Sequence, residues 1–158
     1  MGRYRYVVFG AGRQGTAAIH DLALNCDARE IKVVEPDAAR AKTARARLEK
    51  LFDKDAVALS FLQAASVSDV ERSDVLLSCA PYAVNVGLTR MALAADVPFC
   101  DLGGNPETVA EQEKLAAKSK TAIVPDCGVS PGLSNILAVH CARAHGADEV
   151  HVRCGGLP

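Results

Sequence analysis

The sequence predicts an α/β fold in which a doubly wound parallel sheet is covered by helices on both faces. Short apolar runs rich in β-branched residues alternate along the chain with longer amphipathic stretches. Such alternation is typical of parallel strands joined by right-handed helical crossovers. A glycine-rich turn, "GAGRQG", directly follows the first apolar run and opens the first amphipathic stretch, where such a sheet has its first strand-to-helix turn.

The strands are predicted where short runs are mostly apolar and β-branched or aromatic. The first run, "YRYVVF", is clear, whereas the third is weaker because Leu and Ala blur its period. In chain order the predicted strands are residues 4–9, 31–35, 56–62, 74–79, 98–102, 122–124 and 149–154.

The helices are predicted where apolar residues recur every three or four positions between these strands. They cover residues 15–24, 38–52, 85–95, 107–119 and 131–144. The last helix is expected to have Ser130 as its N-cap and Pro131 as its first residue, because a helix start does not need the N–H that proline lacks.

The composition and charge of the chain limit the classes of protein to which it can belong. The chain has 158 residues, of which 49% are hydrophobic and 23% charged, as in a soluble globular domain with a core. A formal net charge of -1 gives no basic surface for nucleic acid or anionic lipid. No apolar run approaches the ~20 residues that span a bilayer, so no membrane association is expected. The first residues lack the pattern of a signal peptide, which favours a cytoplasmic location.

The glycine-rich turn has the form and context of a dinucleotide-binding loop. Gly10 permits the tight turn, Gly12 lets the backbone approach a pyrophosphate, and Gly15 lets the helix pack closely on the strand. The free N–H groups of the helix then face the phosphates. The residues expected to bind the cofactor here are Gly10, Ala11, Gly12, Arg13, Gln14 and Gly15.

An acidic residue ends the second predicted strand, where dinucleotide sites hold the adenosine ribose. Glu35 stands there, and its carboxylate is able to accept hydrogen bonds from the ribose hydroxyls and to repel a 2′-phosphate. NAD is therefore the preferred cofactor and NADP the alternative. Arg40 offers a partner for a 2′-phosphate, but its position favours the exposed face of the second helix.

Ligands of such sheets bind at the carboxyl ends of the strands. The carboxyl ends of the fourth, fifth and sixth predicted strands read "SCAPYAV", "CDLGGNP" and "PDCGVSPG". Ala80 and Pro81 form a small, rigid exit past which a cofactor can run. Tyr82 either lies against the nicotinamide or fills a gap between helix and sheet. Gly103 and Gly104 leave backbone groups open to a ligand, although a plain turn also explains them.

Two residues are candidates for catalysis. Asp126 is a carboxylate at the same sheet edge and a candidate base; its alternative role is to order a loop or cap a helix. Cys154 is a candidate by the resemblance described below, and otherwise a buried apolar side chain. Three other cysteines, Cys79, Cys100 and Cys127, also end predicted strands, but none of the six is spaced as C-x-x-C, and no metal site is predicted.

Four motifs together resemble the saccharopine dehydrogenase and lysine 6-dehydrogenase family: "GAGRQG", "DLGGN", "PDCGVSPG" and "CGGLP". The resemblance implies an NAD- or NADP-dependent oxidoreductase that oxidises the CH–NH group of lysine or a lysine-derived amino acid, and Cys154 matches a cysteine near the substrate. It also implies a homodimer and a longer protein. Residues 1–130 then form the Rossmann domain, and residues 131–158 the connecting helix and first strand of a second, substrate-binding domain. The 158-residue chain alone is therefore expected to bind the cofactor without turning over a substrate.

The family pattern is not matched everywhere. Ser130 stands where saccharopine reductases tend to have an acidic residue, and the tyrosine that they carry near Gly103 or Gly104 is absent. Saccharopine itself is thus one of several possible substrates. A nucleotide-sensing regulatory module without catalysis is the alternative function, because such modules share the glycine turn and the acid, but they do not carry "GVSPG" or "CGGLP".

Overall fold

The computed structural model describes residues 3–51 and 56–155, and its sheet has the predicted parallel, doubly wound form. Six strands lie in the order β3-β2-β1-β4-β5-β6, and every neighbouring pair is parallel. The strands are β1 (Tyr4–Phe9), β2 (Ala28–Val34), β3 (Ala58–Leu62), β4 (Val75–Ser78), β5 (Phe99–Asp101) and β6 (Ile123–Val124). The strand order reverses between β1 and β4, which opens a crevice at their carboxyl ends.

Helices connect each strand to the next, and one further helix follows β6. They are α1 (Arg13–Asn25), α2 (Ala38–Leu48), α3 (Val67–Val70), α4 (Asn85–Ala95), α5 (Pro106–Ala116) and α6 (Leu133–His145), and a single 3-10 turn (Tyr82–Val84) precedes α4. The sequence analysis missed α3 and the 3-10 turn, because neither is long enough to show helical periodicity. The predicted end of the second helix, Phe52, lies outside the described residues.

The core has two halves, one on each face of the sheet, because successive side chains of a strand point in opposite directions. Val8 of β1 packs with Ile19 of α1 and Leu48 of α2 on one face. Val7 packs with Val70 of α3 and Ala92 of α4 on the other. The buried apolar residues of both halves lie between residues 7 and 99. This packed sheet is the rigid platform on which the loops of the site are held.

The seventh predicted strand is wrong. Residues 149–155 have no regular secondary structure, and Val150 and Val152 are exposed. Their alternating pattern fits a strand, but a strand forms only when another strand accepts its hydrogen bonds, and β6 ends the described sheet. Residues 149–154 therefore offer no strand edge at which two copies of the chain would pair, and the homodimer stays a prediction.

The start of the last helix also differs from its prediction. Gly132, with φ of 126°, is the N-cap of α6, so Ser130 and Pro131 lie before the helix. Gly132 passes directly over the backbone of Gly128, and this close approach sets the turn. None of the side chains of α6 is buried. The division of the chain at residue 130 remains a prediction.

Among the described helices, none has both the length and the apolar character needed to cross a membrane.

Candidate functional site

The glycine turn joins β1 to α1 with the geometry of a phosphate-binding loop. Gly10 has φ of 93°, and a Cβ there would lie 3.0 Å from the carbonyl carbon of Cys79. Gly12 is the N-cap of α1 and has no side chain with which to cap it, so the first N–H groups of the helix point to the loop. A Cβ on Gly12 would meet nothing within 4 Å. The turn therefore presents helix N–H groups beside open space, which suits a pyrophosphate.

Glu35 lies directly beneath this turn, and protein groups occupy most of the hydrogen-bond acceptor positions of its carboxylate. Its Oε2 accepts the N–H of Ala11 at 2.9 Å, and its Oε1 accepts the N–H of Asp37 at 3.0 Å. The Arg40 guanidinium donates to the same Oε1 at 3.1 Å. A carboxylate has about four acceptor positions, so about one remains for a ribose hydroxyl. Glu35 thus has less free acceptor capacity than its sequence position alone predicts.

Asp37 fixes the start of α2 beside Glu35. Its side chain accepts the N–H groups of Ala39 and Arg40, both at 2.9 Å. The hydrogen bond from the Arg40 N–H, above all, lowers the pKa of Asp37 below its ordinary value. The cap therefore holds a negative charge at the helix start and sets the direction in which Arg40 leaves the helix.

A cavity of about 640 Å³ runs from the glycine turn to Glu35 and on between β2 and α4. Gly10, Gly12 and Glu35 line its polar end. Its apolar wall includes Val84, Leu88 and Met91, which recur at helical spacing along the 3-10 turn and α4. This shape, polar at one end and apolar along its side, suits the adenosine half of a dinucleotide. The sequence analysis missed the apolar wall, although the spacing of these three residues was a usable signal.

A second cavity, of about 490 Å³, lies at the carboxyl ends of β4 and β5. Ser130 lines it together with six predicted site residues: Gln14, Ala80, Pro81, Tyr82, Gly103 and Cys154. Tyr82 is 47% exposed, so its side chain does not fill a gap between helix and sheet. It lies beside Gly104, where a Cβ would be 3.8 Å from the Tyr82 Cδ1. The position suits the nicotinamide end of the cofactor.

The two catalytic candidates lie in neighbouring cavities and are not brought together. Asp126 and Gly104 line a cavity of about 430 Å³, whereas Cys154 lines the second cavity described above, and Ser130 borders both. The Oδ1 of Asp126 is buried and has no hydrogen-bond partner among the described residues. This oxygen is packed against Gly103, where a Cβ would overlap it, so it is closed off from the cavity. Cys154 is exposed.

A buried polar group that the sequence analysis missed holds both loops of this edge. The carboxylate of Asp101 accepts the N–H of Gly103 at 2.7 Å and that of Asp126 at 3.3 Å. The side-chain amide of Gln112 donates to its other oxygen at 2.7 Å. Asp101 is fully buried, so these bonds replace its hydration. Its position at a strand end, in "CDLGG", could have marked Asp101 as a site residue. The sequence gives no sign that Gln112 of α5 is its partner.

The cysteines at the strand ends behave as half-buried apolar residues where they lie within the sheet. Burial raises the pKa of Cys79 to about 11. Burial, with smaller contributions from Cys127, Asp101 and Cys79, raises the pKa of Cys100 to about 12. Since the thiolate is the reactive form, neither thiol is a nucleophile near neutral pH.

We expect Cys79 and Cys100 to be alkylated by iodoacetamide at pH 8 at least about tenfold more slowly than the exposed Cys141 and Cys154. A pKa raised above the assay pH leaves little thiolate, and the Cys79 rate should rise about tenfold per pH unit until pH approaches 11. Peptide mass spectrometry measures each rate, and the unfolded chain in denaturant is the control. Equal rates in the folded chain would contradict the burial of the two thiols.

Comparison with known proteins adds the family. Residues 6–124 match the family model described as the saccharopine dehydrogenase NADP-binding domain. Among solved structures, the chain is similar to apo saccharopine dehydrogenase (L-Glu forming) from Saccharomyces cerevisiae, with 18% identity and a TM-score of 0.71 over 90% of this chain and 31% of that one. It is also similar to a shikimate 5-dehydrogenase from Mycobacterium fortuitum, with 18% identity and a TM-score of 0.62 over 93% of this chain and 52% of that one.

A third similar structure is a myo-inositol dehydrogenase from Corynebacterium glutamicum, with 20% identity and a TM-score of 0.62 over 90% of this chain and 41% of that one. At these identities the structures show a shared fold. The chain spans between 31% and 52% of the length of these three proteins.

Proposed function

Because the chain belongs to the saccharopine dehydrogenase family, which it matches through the NADP-binding domain, we propose that it is the cofactor domain of an oxidoreductase acting on a lysine-derived amino acid. Its cofactor is a nicotinamide dinucleotide. The substrate bond that we propose is the CH–NH group, and the preferred cofactor that we propose is NAD.

One observation carries the proposal: the glycine turn and Glu35 border the same cavity. Gly12 and Glu35 both line it, and the hydrogen bond from the Ala11 N–H to Glu35 ties the turn to the end of β2. A pyrophosphate on the turn and an adenosine ribose at Glu35 are adjacent groups of a dinucleotide. A glycine-rich turn that binds no phosphate would have no need of a carboxylate such as that of Glu35 beside it.

The NAD preference rests on the remaining acceptor position of Glu35. A ribose hydroxyl donates to it, whereas a 2′-phosphate has no proton to donate there near neutral pH and meets a carboxylate. Arg40 neutralises part of that charge, so the expected preference is moderate.

When bound, the dinucleotide accepts a hydride from the substrate carbon. The residues of this chain orient the reactants and handle protons. Asp101 holds the loops of Gly103 and Asp126, which border the nicotinamide end. We propose that Asp126, which lines the cavity beside Gly104, accepts a proton from the substrate ammonium, and that Cys154 lies beside the substrate.

The proposal extends to the protein as a whole: a small amino acid as substrate, a homodimer, and a cytoplasmic location. The substrate class and the homodimer follow from the resemblance carried by the motifs "DLGGN" and "GVSPG". A panel of basic amino acids, assayed with NAD and the protein as a whole by the absorbance of the reduced nicotinamide, tests the substrate class. Turnover of inositol or shikimate in place of basic amino acids would contradict it.

We expect calorimetric titration of the chain with NAD and with NADP to give saturable binding of one molecule per chain, tighter for NAD. Glu35→Ser should narrow the difference, because the acceptor for the ribose hydroxyl and the repulsive charge are both lost. Glu30→Ser is the matched control, since Glu30 lies on the same strand but pairs with Arg5 at the surface. Equal wild-type affinities would contradict the NAD preference, and binding of neither dinucleotide would contradict the assignment as a cofactor domain.

A further inference from the structure

Five buried polar residues form one hydrogen-bonded network between the sheet and the helices α4 and α5. Each residue is at most 1% exposed, and none of them lines a cavity of the site described above. They are Ser78, Asn85, Thr89, Gln112 and Asp101. We refer to these five residues as the polar network.

Each residue of the polar network is hydrogen-bonded to the next. The Ser78 hydroxyl donates to the Asn85 Oδ1 at 2.7 Å, and the Thr89 hydroxyl donates to the backbone carbonyl of Asn85 at 2.9 Å. The side-chain amide of Gln112 donates to the Thr89 hydroxyl at 3.0 Å and to the Asp101 Oδ2 at 2.7 Å. The polar network therefore runs without a break from the end of β4, across α4 and α5, to the end of β5.

The two ends of the polar network hold loops that line the second cavity, which takes the nicotinamide in the proposed function. Ser78 ends β4 and Asn85 begins α4, so their hydrogen bond closes the base of the loop formed by residues 79–84. At the other end, the Asp101 carboxylate accepts the N–H of Gly103. Both loops contribute residues to the lining of the cavity. The polar network thus links two parts of that lining through the protein interior.

Gln112 joins the two halves of the polar network. Its Nε2 has two hydrogens, and Thr89 and Asp101 accept both of them. Its Oε1 is buried and accepts no hydrogen bond from the residues that the structure describes. An unpaired buried carbonyl oxygen lowers stability, and an apolar side chain would fill the contact between α4 and α5 without that loss. The orientation of the Gln112 amide is therefore one that serves its two acceptors.

We propose that Gln112 is a positioning residue for the nicotinamide end of the cofactor. By holding Thr89 and Asp101 at fixed distances, it fixes the loop of residues 79–84 relative to the loop of Gly103. Hydride transfer needs the nicotinamide to be held within about 0.5 Å of its productive position, and buried bonds behind the loops give them that precision. Gln112 acts through its two partners, since it lines no cavity of the site. This inference rests on the proposed function and adds the residue that orients the reacting end of the cofactor.

The test separates the nicotinamide end of the ligand from its adenosine end. Calorimetry measures the affinities of NAD and of ADP-ribose, which lacks the nicotinamide, for the wild type and for Gln112→Met. Methionine has a similar volume but no N–H, so the polar network is broken at its centre. We expect the wild type to bind NAD about tenfold more tightly than ADP-ribose, and the variant to bind the two about equally, with its ADP-ribose affinity within about threefold of the wild type.

A double variant provides the rescue. Asp101→Asn alone should break the polar network as Gln112→Met does, because the asparagine amide meets the Gln112 amide donor to donor. When Gln112→Glu is added, the new carboxylate accepts from the asparagine amide, whose oxygen still accepts the N–H of Gly103. The Thr89 hydroxyl turns to donate to the same carboxylate. We expect the double variant to bind NAD within about threefold of the wild type, which a merely structural role for either residue would not give.

Leu48→Ala is the control for a loss of stability alone. Leu48 is fully buried in the other half of the core, with Val8 and Ile19, and belongs to no part of the polar network. This variant should melt at a lower temperature and still prefer NAD over ADP-ribose as the wild type does. Thermal melts identify the temperatures at which each variant is folded. If Gln112→Met does not fold, Thr89→Val, which removes only the hydroxyl of the link, should shift the preference in the same direction.

An equal loss of affinity for both ligands, or an unchanged ratio between them, in a folded Gln112→Met chain overturns the inference. A double variant that binds NAD no better than Asp101→Asn also overturns it, as does a wild type that binds NAD no more tightly than ADP-ribose. These outcomes leave the proposed function standing. Binding of neither NAD nor ADP-ribose by the wild type contradicts the proposed function and the inference together.

Discussion

Replacing Gly12 with valine is expected to abolish dinucleotide binding, with an affinity loss of at least about 100-fold, while the chain stays folded. The backbone of Gly12 has φ of -70° and ψ of -163°, which valine adopts without strain. A Cβ there meets no atom within 4 Å, so the side chain disturbs no packing. It does enter the cavity of about 640 Å³ that runs from the glycine turn to Glu35, which Gly12 lines. A pyrophosphate that needs close backbone approach is then excluded.

The measurement is calorimetric titration with NAD, accompanied by a thermal melt. Valine is a poor N-cap residue, but the glycine that it replaces has no side chain to cap the helix either. The melting temperature of the variant should therefore change by only about 3 °C. Gly87→Val is the matched control: Gly87 is exposed in α4, has open space at its Cβ position and lines no described cavity of the site. Undiminished NAD affinity in a folded Gly12→Val chain would contradict the phosphate-binding role of the turn.

The sheet, its parallel direction and the position of the glycine turn were predictable because each follows from local pattern. The run "YRYVVF" has to become a strand, and "GAGRQG" after it has to become the turn into a helix. Glu35 was predictable for the same reason, since it directly follows the next strand. These features need no knowledge of which side chains meet in space.

The hydrogen bonds that the Glu35 carboxylate already accepts from the protein were not predictable, because they depend on groups that meet only in the folded chain. Arg40 was assigned to the exposed face of its helix; it is half exposed there, yet its guanidinium reaches back to Glu35. Likewise, Asp101 was visible as an acid at a strand end, but Gln112, its buried partner, looks in sequence like any polar residue of a helix. Hydrogen-bond partners across elements carry no periodic signal.

The error at residues 149–154 has a different origin. The alternation of Val150 and Val152 with polar residues is a sound strand pattern, but a strand's stability comes from its partner. Neither valine is buried in the described structure. Periodicity predicts which face a strand would bury, and cannot by itself say whether a neighbour exists.

Replacing Gly15 with alanine is expected to destabilise the fold itself, by about 3 kcal/mol or more. Gly15 lies inside α1 and is buried, and a Cβ there would overlap the carbonyl oxygen of Gly10 and lie 2.9 Å from the Gly10 carbonyl carbon. Both atoms belong to the backbone of the tight turn, so neither moves aside without pulling β1 and α1 apart. Helix propensity alone favours alanine by about 1 kcal/mol, so a net loss can come only from this contact.

Thermal or urea unfolding measures the effect, and a loss of this size lowers the melting temperature by roughly 10 °C. Gly12→Ala, three residues earlier in the same motif, is the matched control, because its Cβ has open space and its stability should stay within about 1 kcal/mol of the wild type. Gly15→Ala is expected to lose more stability than the Gly12 variants, whereas Gly12→Val is expected to lose more dinucleotide affinity. At temperatures where both variants are folded, Gly12→Val should lose binding and Gly15→Ala should keep a measurable part of it. Gly15→Ala at wild-type stability would mean that α1 does not pack on the turn as closely as the structure has it. Gly12 and Gly15, the last two glycines of the motif, would then have no separate roles, and the assignment of Gly12 to the ligand and Gly15 to the fold would fail.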